Sequence, residues 1–156
     1  MIRKLLPVIS LLLLPLSNAA VADSPNSVDA IDSPSSVLQQ SGVQGGLVVH
    51  VGGGNGNMGQ LLAEYSTNDG YLVHGLSTDP AQVAVAREYL LDQGLYGKIS
   101  VALFDGKTLP YAENLVNLVV VVDDPDVEIS REELLRVLVP NGIALIDADV
   151  TLQGDA

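Results

Sequence analysis

Residues 47–59 read Leu-Val-Val-His-Val-Gly-Gly-Gly-Asn-Gly-Asn-Met-Gly. The short apolar run at 47–51 ends in a glycine-rich segment, and the apolar spacing of a helix starts at Met58. Glycine suits such a turn because it adopts positive φ and because its missing Cβ lets the backbone approach a ligand. The free N–H groups of the following helix favour a polar or anionic group there. This order predicts contact with a nucleotide-like ligand, and a tight structural turn is the alternative.

Apolar patterns in the rest of the chain predict alternating strands and helices. Four further segments have the length and β-branched content of strands, namely 71–75, 99–104, 115–122 and 143–146. Helices are predicted after the glycine segment, after Asp79-Pro80 and after Ser130, where cap residues precede an apolar stripe. This alternation is typical of a Rossmann-like three-layer α/β sandwich with a mostly parallel sheet. The pattern stops after the fifth strand, which predicts a sheet truncated there.

The first 22 residues have the pattern of a secretory signal peptide. Arg3 and Lys4 precede an apolar run at 5–16, and the small residues at 20–22 suit a cleavage site. The run is shorter than the roughly 20 apolar residues that a membrane span needs. We therefore expect a protein exported to the periplasm or secreted, without stable membrane insertion after signal cleavage.

Composition divides the rest of the chain into three segments. Residues 23–45 are rich in Asp, Ser, Pro and Gly, which predicts a linker or disordered arm with room for a helical turn near 35–40. Residues 46–150 hold the strand and helix patterns and form the predicted Rossmann domain. Residues 151–156 are predicted to be a tail.

The chain is strongly acidic, with 19 Asp and Glu against 7 Lys and Arg and a formal net charge of −12 at pH 7. Contacts with phosphate backbones use Lys and Arg to displace counterions, so this charge excludes nucleic acid as a partner. Cysteine is absent from the sequence. Disulfides, thiolate catalysis and cysteine-ligated metal are therefore excluded as well.

Polar residues stand where several predicted strands end. They are His50 with the glycine segment, residues 74–79, Asp105, and the acidic run 123–126. In an open α/β sheet ligands bind outside the carboxyl ends of the strands, so we expect these residues to converge. A metal site shared by His50, His74 and Asp105 is one alternative, but the close His spacing of a metal site is missing and no metal is predicted. The acidic run lacks the glycine and spacing of a calcium loop, which favours a solvated turn.

Over about residues 45–147 the chain resembles a class I S-adenosylmethionine-dependent methyltransferase domain. Five segments carry the resemblance in the order and spacing of that family. They are residues 50–56, which match the glycines of the family's first motif (an acidic residue followed by Gly-x-Gly-x-Gly), the second strand and its helix at 73–87, Phe104-Asp105-Gly106 with Leu109-Pro110-Tyr111, the strand at 117–120, and the turn Arg-Val-Leu-Val-Pro-Asn-Gly at 136–142.

The resemblance implies S-adenosylmethionine as the cofactor and methyl transfer to a small acceptor. Neither the acceptor nor a catalytic residue is indicated. The implied cofactor contacts are His50, Gly52, Gly54, Asn55, Gly56, Ser77 and Asp105. The glycine backbone would pass under the methionine part, and the Asp105 carboxylate would accept a hydrogen bond from the adenine amino group. Because the methyl moves directly to its acceptor, the protein mainly aligns the reactants and excludes water.

Two residues depart from the family pattern. His50 stands where an acidic residue normally ends the first strand, and Ser77 stands where an acid would bind both ribose hydroxyls. The resemblance also extends to exported proteins in which such a segment precedes a quinoprotein-like β-propeller. A second interpretation is therefore a catalytically inactive exported scaffold or interaction domain that packs against a following propeller or a protein partner. A third is another nucleotide or sugar-nucleotide ligand in the same crevice.

Overall fold

A computed structural model of the chain describes residues 33–53, 56–67, 69–122, 124–147 and 150–155. The predicted signal peptide, residues 1–22, lies outside the described residues. The elements in chain order are α1 Pro34–Ser41, β1 Gly46–Val51, α2 Met58–Ala63 with a 3₁₀ turn Glu64–Thr67, β2 Tyr71–Ser77, α3 Pro80–Asp92, β3 Ile99–Leu103, β4 Val116–Val121, α4 Arg131–Val137, β5 Leu138–Ile146 and β6 Val150–Gln153.

The six strands form one sheet in the order β3-β2-β1-β4-β5-β6. All neighbouring strands are parallel except β6, which runs antiparallel to β5. The chain moves outward from β1 to β3 and then returns to the other side of β1 with β4. The strand order therefore reverses between β1 and β4, which is where ligands bind in open α/β sheets. The predicted Rossmann-like, mostly parallel sheet is confirmed.

The sheet has one more strand than the sequence predicts. Strand β6 begins at the last residue of the predicted domain and continues into the segment predicted to be a tail, and it pairs Leu152 with Ala144 and Val150 with Ile146. The backbone N–H of Gly154 closes the hairpin by donating to the carbonyl of Gly142 at 2.9 Å. The expected end of the sheet at the fifth strand is corrected accordingly, because backbone pairing along β5 organises even this four-residue segment.

The two sheet faces carry separate apolar cores. One face is covered by α1, α2 and α3, and its buried residues include Val48, Leu62, Val73, Val83, Leu90, Val101, Leu118 and Val120. The other face is covered by α4 and by residues 104–115, which link β3 to β4 and are called the crossover below. Its buried residues include Val49, Val51, Leu76, Leu109, Val119, Leu134 and Val137. The strands are apolar without alternation because both faces are covered.

Helix α1 lies within the segment predicted to be a linker or arm. The Ser33 hydroxyl accepts the N–H of Ser36 at the start of the helix, and Gly42 ends it with φ +66°. Val37 is 1% exposed and belongs to the first core. The helical turn expected near 35–40 is thus a two-turn helix packed on the domain, whereas residues 23–32 of the predicted arm lie outside the described residues.

Helix α3 is the longest described helix, with 13 residues. It begins as predicted, because the Asp79 carboxylate accepts the N–H of Ala81 at 2.8 Å and Pro80 occupies the first turn. In the described part of the chain, no helix has both the length and the apolar character needed to cross a membrane.

Candidate functional site

The glycine turn after β1 packs directly on the end of β4. Gly52 and Gly53 both have φ +73°, a backbone conformation that residues with a Cβ rarely adopt. A Cβ at Gly52 would lie 3.0 Å from the carbonyl oxygen of Val122, and a Cβ at Gly53 would lie 2.9 Å from the Cβ of Val122. The fold itself therefore requires glycine at both positions. Of the remaining predicted contacts in this turn, Gly54 and Asn55 lie outside the described residues.

Gly56 differs from the first two glycines of the turn. It has φ +85°, and within the described part of the chain no atom beyond its sequence neighbours lies within 4 Å of the position of a Cβ there. It is exposed and stands one residue before Asn57, which precedes α2. Backbone conformation alone therefore favours glycine at this position, and the open space leaves room for a ligand beside the turn.

His50 is a buried residue on the face covered by α2. It is 2% exposed, and its Nδ1 lies 3.3 Å from the hydroxyl of Tyr65. Among the described residues its Nε2 has no hydrogen-bond partner. Burial lowers the pKa of His50 to about 4, so the imidazole is neutral at physiological pH. The position that is acidic in the family thus carries a neutral side chain here.

Ser77 and Asp105 lie close together at the rim of the sheet. The backbone N–H of Phe104 donates to the carbonyl of Ser77 at 3.1 Å, which joins the end of β2 to the residue before Asp105. Ser77 is 2% exposed, and its hydroxyl accepts the N–H of Asp79 at 3.1 Å. The two positions expected to contact the adenosine part of the cofactor are therefore neighbours.

Asp105 is an exposed residue in a tight turn. One carboxylate oxygen accepts the N–H groups of Thr108 at 2.7 Å and of Lys107 at 2.8 Å. These backbone hydrogen bonds lower the pKa of the Asp105 carboxyl, with that from Thr108 contributing most. Gly106 follows with φ +80°, and its carbonyl accepts the N–H of Glu128 at 2.8 Å. The carboxylate is thus ionised and fixed in position.

The two histidines lie on opposite faces of the sheet. His50 pairs with Gly75 and His74 pairs with Val49, so the two side chains project to opposite sides. The Nδ1 of His74 lies 2.7 Å from the hydroxyl of Tyr111, and burial, followed by the nearby charge of Arg87, lowers the pKa of His74. The alternative of a metal shared by His50, His74 and Asp105 is therefore wrong.

Sequence reasoning missed an ion pair on α4 that contacts the crossover. The Glu133 carboxylate accepts the Nε of Arg136 at 2.8 Å and its Nη2 at 2.7 Å. The guanidinium also donates to the carbonyls of Tyr111 at 2.8 Å and Leu109 at 3.2 Å. The Glu-x-x-Arg spacing signals a helical pair, but nothing in it indicates contact with a distant loop.

Two cavities of about 150 Å³ flank the glycine turn. One lies at the ends of β4 and β5 and is lined by residues including Val122, Asp124, Glu128 and Asp147. The other lies between α2 and α3 and is lined by residues including Gly56, Gln60 and Tyr89. Each is smaller than the roughly 300–1,000 Å³ of an ordinary ligand pocket. A ligand of nucleoside size would therefore extend along the open rim rather than fill either cavity.

Comparison with known proteins agrees with this arrangement. A family model described as a methyltransferase domain matches residues 48–142, from β1 into β5. The chain belongs to this methyltransferase family. Methyltransferase GfsG of Streptomyces halstedii is 32% identical over 111 residues, which are 69% of this chain and 38% of that protein. The chain thus spans well under half the length of this relative.

Solved structures of other proteins share the fold. The [4+2]-cyclase SpnF has a TM-score of 0.58 and 27% identity, over 70% of this chain and 41% of that one. An S-adenosylmethionine-dependent methyltransferase from Aquifex aeolicus has a TM-score of 0.56 and 23% identity, over 80% of this chain and 67% of that one. The family resemblance predicted from five sequence segments is confirmed.

Proposed function

We propose that this domain binds S-adenosylmethionine at the carboxyl ends of β1, β2 and β3 and transfers its methyl group to a small acceptor. The observation that carries the proposal is the hydrogen bond from Phe104 N–H to the Ser77 carbonyl, which brings the end of β2 beside the residue before Asp105. Ser77 ends β2 and Asp105 follows β3, one and two strands away from β1, and the strand order reverses on the other side of β1.

The residues at the rim fit the adenosine part of this cofactor. A carboxylate has about four acceptor sites, so Asp105 can accept an adenine N–H in addition to the two backbone bonds it already holds. The Ser77 hydroxyl can bond one ribose hydroxyl where the family acid would bond two. His50, which replaces the acid that ends the first strand, is neutral and buried under α2, so it adds no charged group to the rim.

The bound cofactor would supply an electrophilic methyl group on a sulfonium. The residues of this chain would align the methyl group with the acceptor and exclude water from the site. The cavity at the ends of β4 and β5, on the far side of Gly52 from Ser77, is where we place the acceptor. An acidic rim there, with Asp124 and Asp147, suits a positively charged reactant.

Calorimetry with S-adenosylhomocysteine, the demethylated product, tests the proposal. The full-length chain should bind it with micromolar affinity, and Asp105→Ala should weaken binding by about tenfold or more, because a hydrogen bond to a charged group is lost. Asp92→Ala removes the same charge from the exposed end of α3 and serves as the matched control. No heat from a wild-type chain that circular dichroism shows to be folded would overturn the proposal and favour the inactive scaffold.

Export is a separate proposal that rests on the sequence of residues 1–22. Expression in a bacterial host followed by mass spectrometry of the periplasmic fraction should give a protein that starts near Asp23. Recovery of only the uncleaved chain from the cytoplasm would overturn it. A following propeller domain or a protein partner stays a prediction from the resemblance.

A further inference from the structure

The turn that carries Asp105 belongs to a crossover without a helix. Between β3 and β4 the chain runs through residues 104–115 as turns and irregular backbone. Leu109, at 1% exposure, anchors this segment in the second core together with the partly buried Phe104 and Tyr111. Apolar packing does not pair the backbone N–H and C=O groups of the segment. Backbone groups of the crossover must therefore be held by another element.

Helix α4 supplies those contacts through Glu133 and Arg136. Glu133 Oε1 accepts the N–H of Leu109 at 2.8 Å, while the Arg136 guanidinium donates to the carbonyls of Leu109 and Tyr111. Three backbone groups of the crossover are thereby satisfied by one ion pair. The carbonyl of Arg136 also accepts the N–H of Asn114 at 3.0 Å, so the far end of the crossover is held on the same helix.

The Glu133 side chain contacts groups other than the one that its sequence position predicts, which is the backbone N–H of Ser130. Ser130 and Glu133 have the spacing of a capping box, and the Ser130 hydroxyl does accept the N–H of Glu133 at 3.1 Å. The Glu133 carboxylate instead contacts Leu109 and Arg136. The Glu133 and Arg136 side chains are 17% and 31% exposed, so water competes only partly for these bonds.

A second group of contacts holds the turn itself. Gly106 accepts the N–H of Glu128 through its carbonyl, and Lys107 forms a 3.1 Å ion pair with Glu128. That ion pair is exposed on both sides and contributes little to rigidity. The partly buried pair on α4 is therefore the stronger restraint on the crossover beyond Asp105.

We propose that Glu133 and Arg136 are positioning residues that hold the crossover so that the Asp105 carboxylate is aimed at the adenine amino group of the cofactor. This inference rests on the function proposed above. The planar guanidinium makes several parallel bonds in a fixed fork, which a lysine ammonium cannot reproduce. Arg136→Lys should therefore disturb the aim of Asp105 while keeping the charge.

The test compares S-adenosylhomocysteine with S-inosylhomocysteine, in which a carbonyl oxygen replaces the adenine amino group and N1 carries a hydrogen. A carboxylate aimed at the amino group would face this carbonyl oxygen in the inosine compound, so it would lose its hydrogen bond and be repelled. The wild-type chain should prefer the adenosine compound by about tenfold or more, and Asp105→Ala should abolish that preference. Arg136→Lys, Arg136→Met and Glu133→Gln should each lower the preference to about threefold or less.

Arg131→Met is the matched control, because it removes one positive charge from the exposed start of the same helix. It should leave the ligand preference unchanged. A variant that merely lowers stability would weaken both ligands equally and keep their ratio. Arg136→Lys keeps the positive charge and is the smallest of these changes. It can therefore still be measured if Arg136→Met fails to fold.

The outcomes separate the inference from the proposed function. Failure of the folded wild-type chain to bind S-adenosylhomocysteine would overturn both. A wild-type preference that Asp105→Ala abolishes but Arg136→Lys and Glu133→Gln retain would overturn the positioning role alone. Loss of preference in the α4 variants together with faster hydrogen exchange at the Leu109 amide would support it.

Discussion

The hydroxyl of Ser77 accepts a hydrogen bond from the backbone N–H of Asp79 at 3.1 Å, so the residue that ends β2 also supports the start of α3. Asp79 in turn caps that helix through its carboxylate. The acid expected at position 77 is therefore replaced by a residue with a structural partner, and the neighbouring acid is occupied as a cap. This arrangement leaves one hydroxyl for the ribose of the proposed cofactor.

Ser77→Asp should strengthen S-adenosylhomocysteine binding by about tenfold. The new carboxylate can accept a hydrogen bond from a ribose hydroxyl, and a hydrogen bond to a charged group contributes roughly 1.5–3 kcal/mol. The same change should lower the melting temperature, since the position is buried and Asp79 stands two residues away. Calorimetry and thermal unfolding measure the two effects. Unchanged affinity in a folded Ser77→Asp protein would contradict a ribose site at the end of β2.

The buried imidazole of His50 makes stability depend on pH. Its pKa falls from 6.5 in the unfolded chain to about 4 in the folded one because of burial, so the unfolded state binds more protons between these values. Stability from this group is complete above pH 6.5 and declines as the pH falls. By linkage, unfolding should become easier by about 2 kcal/mol between pH 7.5 and pH 5.

Urea unfolding followed by circular dichroism at several pH values measures this slope. His50→Gln removes the titrating group and should flatten the slope relative to wild type. His74→Gln is the comparison: the pKa of His74 is lowered in the same direction but the residue is less buried, so this variant should flatten the slope less than His50→Gln does. A slope that persists in His50→Gln but disappears in His74→Gln would show that His74 causes the pH dependence, which contradicts the prediction.

Local patterns in the sequence were sufficient to predict most of the sheet. The run at 119–122 is apolar without alternation, as expected for a central strand covered on both faces, and the caps at Asp79 and Ser130 start helices as predicted. Strand β6 was missed because its four residues form through pairing with β5 rather than through their own pattern. The length of helix α1 was underestimated, because two apolar residues, Val37 and Leu38, are too few to show in the sequence that one helix face packs on the core.

The site was predictable only where it follows the strand ends. The pairing of β2 with β3 brings Ser77 beside Phe104, the residue before Asp105, whereas His50 lies buried under α2. The contact of Glu133 with the Leu109 N–H joins residues 24 positions apart, and no local signal marks it. Long-range contacts between side chains and loop backbone depend on the assembled fold, which periodicity and caps do not encode.

The fit of the glycine turn against β4 gives a further prediction. Gly53→Ala should destabilise the protein by about 2–5 kcal/mol, from a left-handed backbone cost of roughly 1–2 kcal/mol and an overpacking cost of roughly 1–3 kcal/mol. The overpacking arises because the new Cβ would lie 2.9 Å from the Cβ of Val122.

Gly94→Ala separates the two costs. Gly94 has φ +67°, close to the +73° of Gly53, but no described residue other than its sequence neighbours has an atom within 4 Å of its Cβ position. Its replacement should therefore cost only the backbone part, about 1–2 kcal/mol. Denaturant unfolding of both variants gives the difference, which is the contribution of the contact with Val122. Equal losses in the two variants would show that the turn relaxes away from β4, and the glycine at position 53 would then be required for its backbone conformation alone.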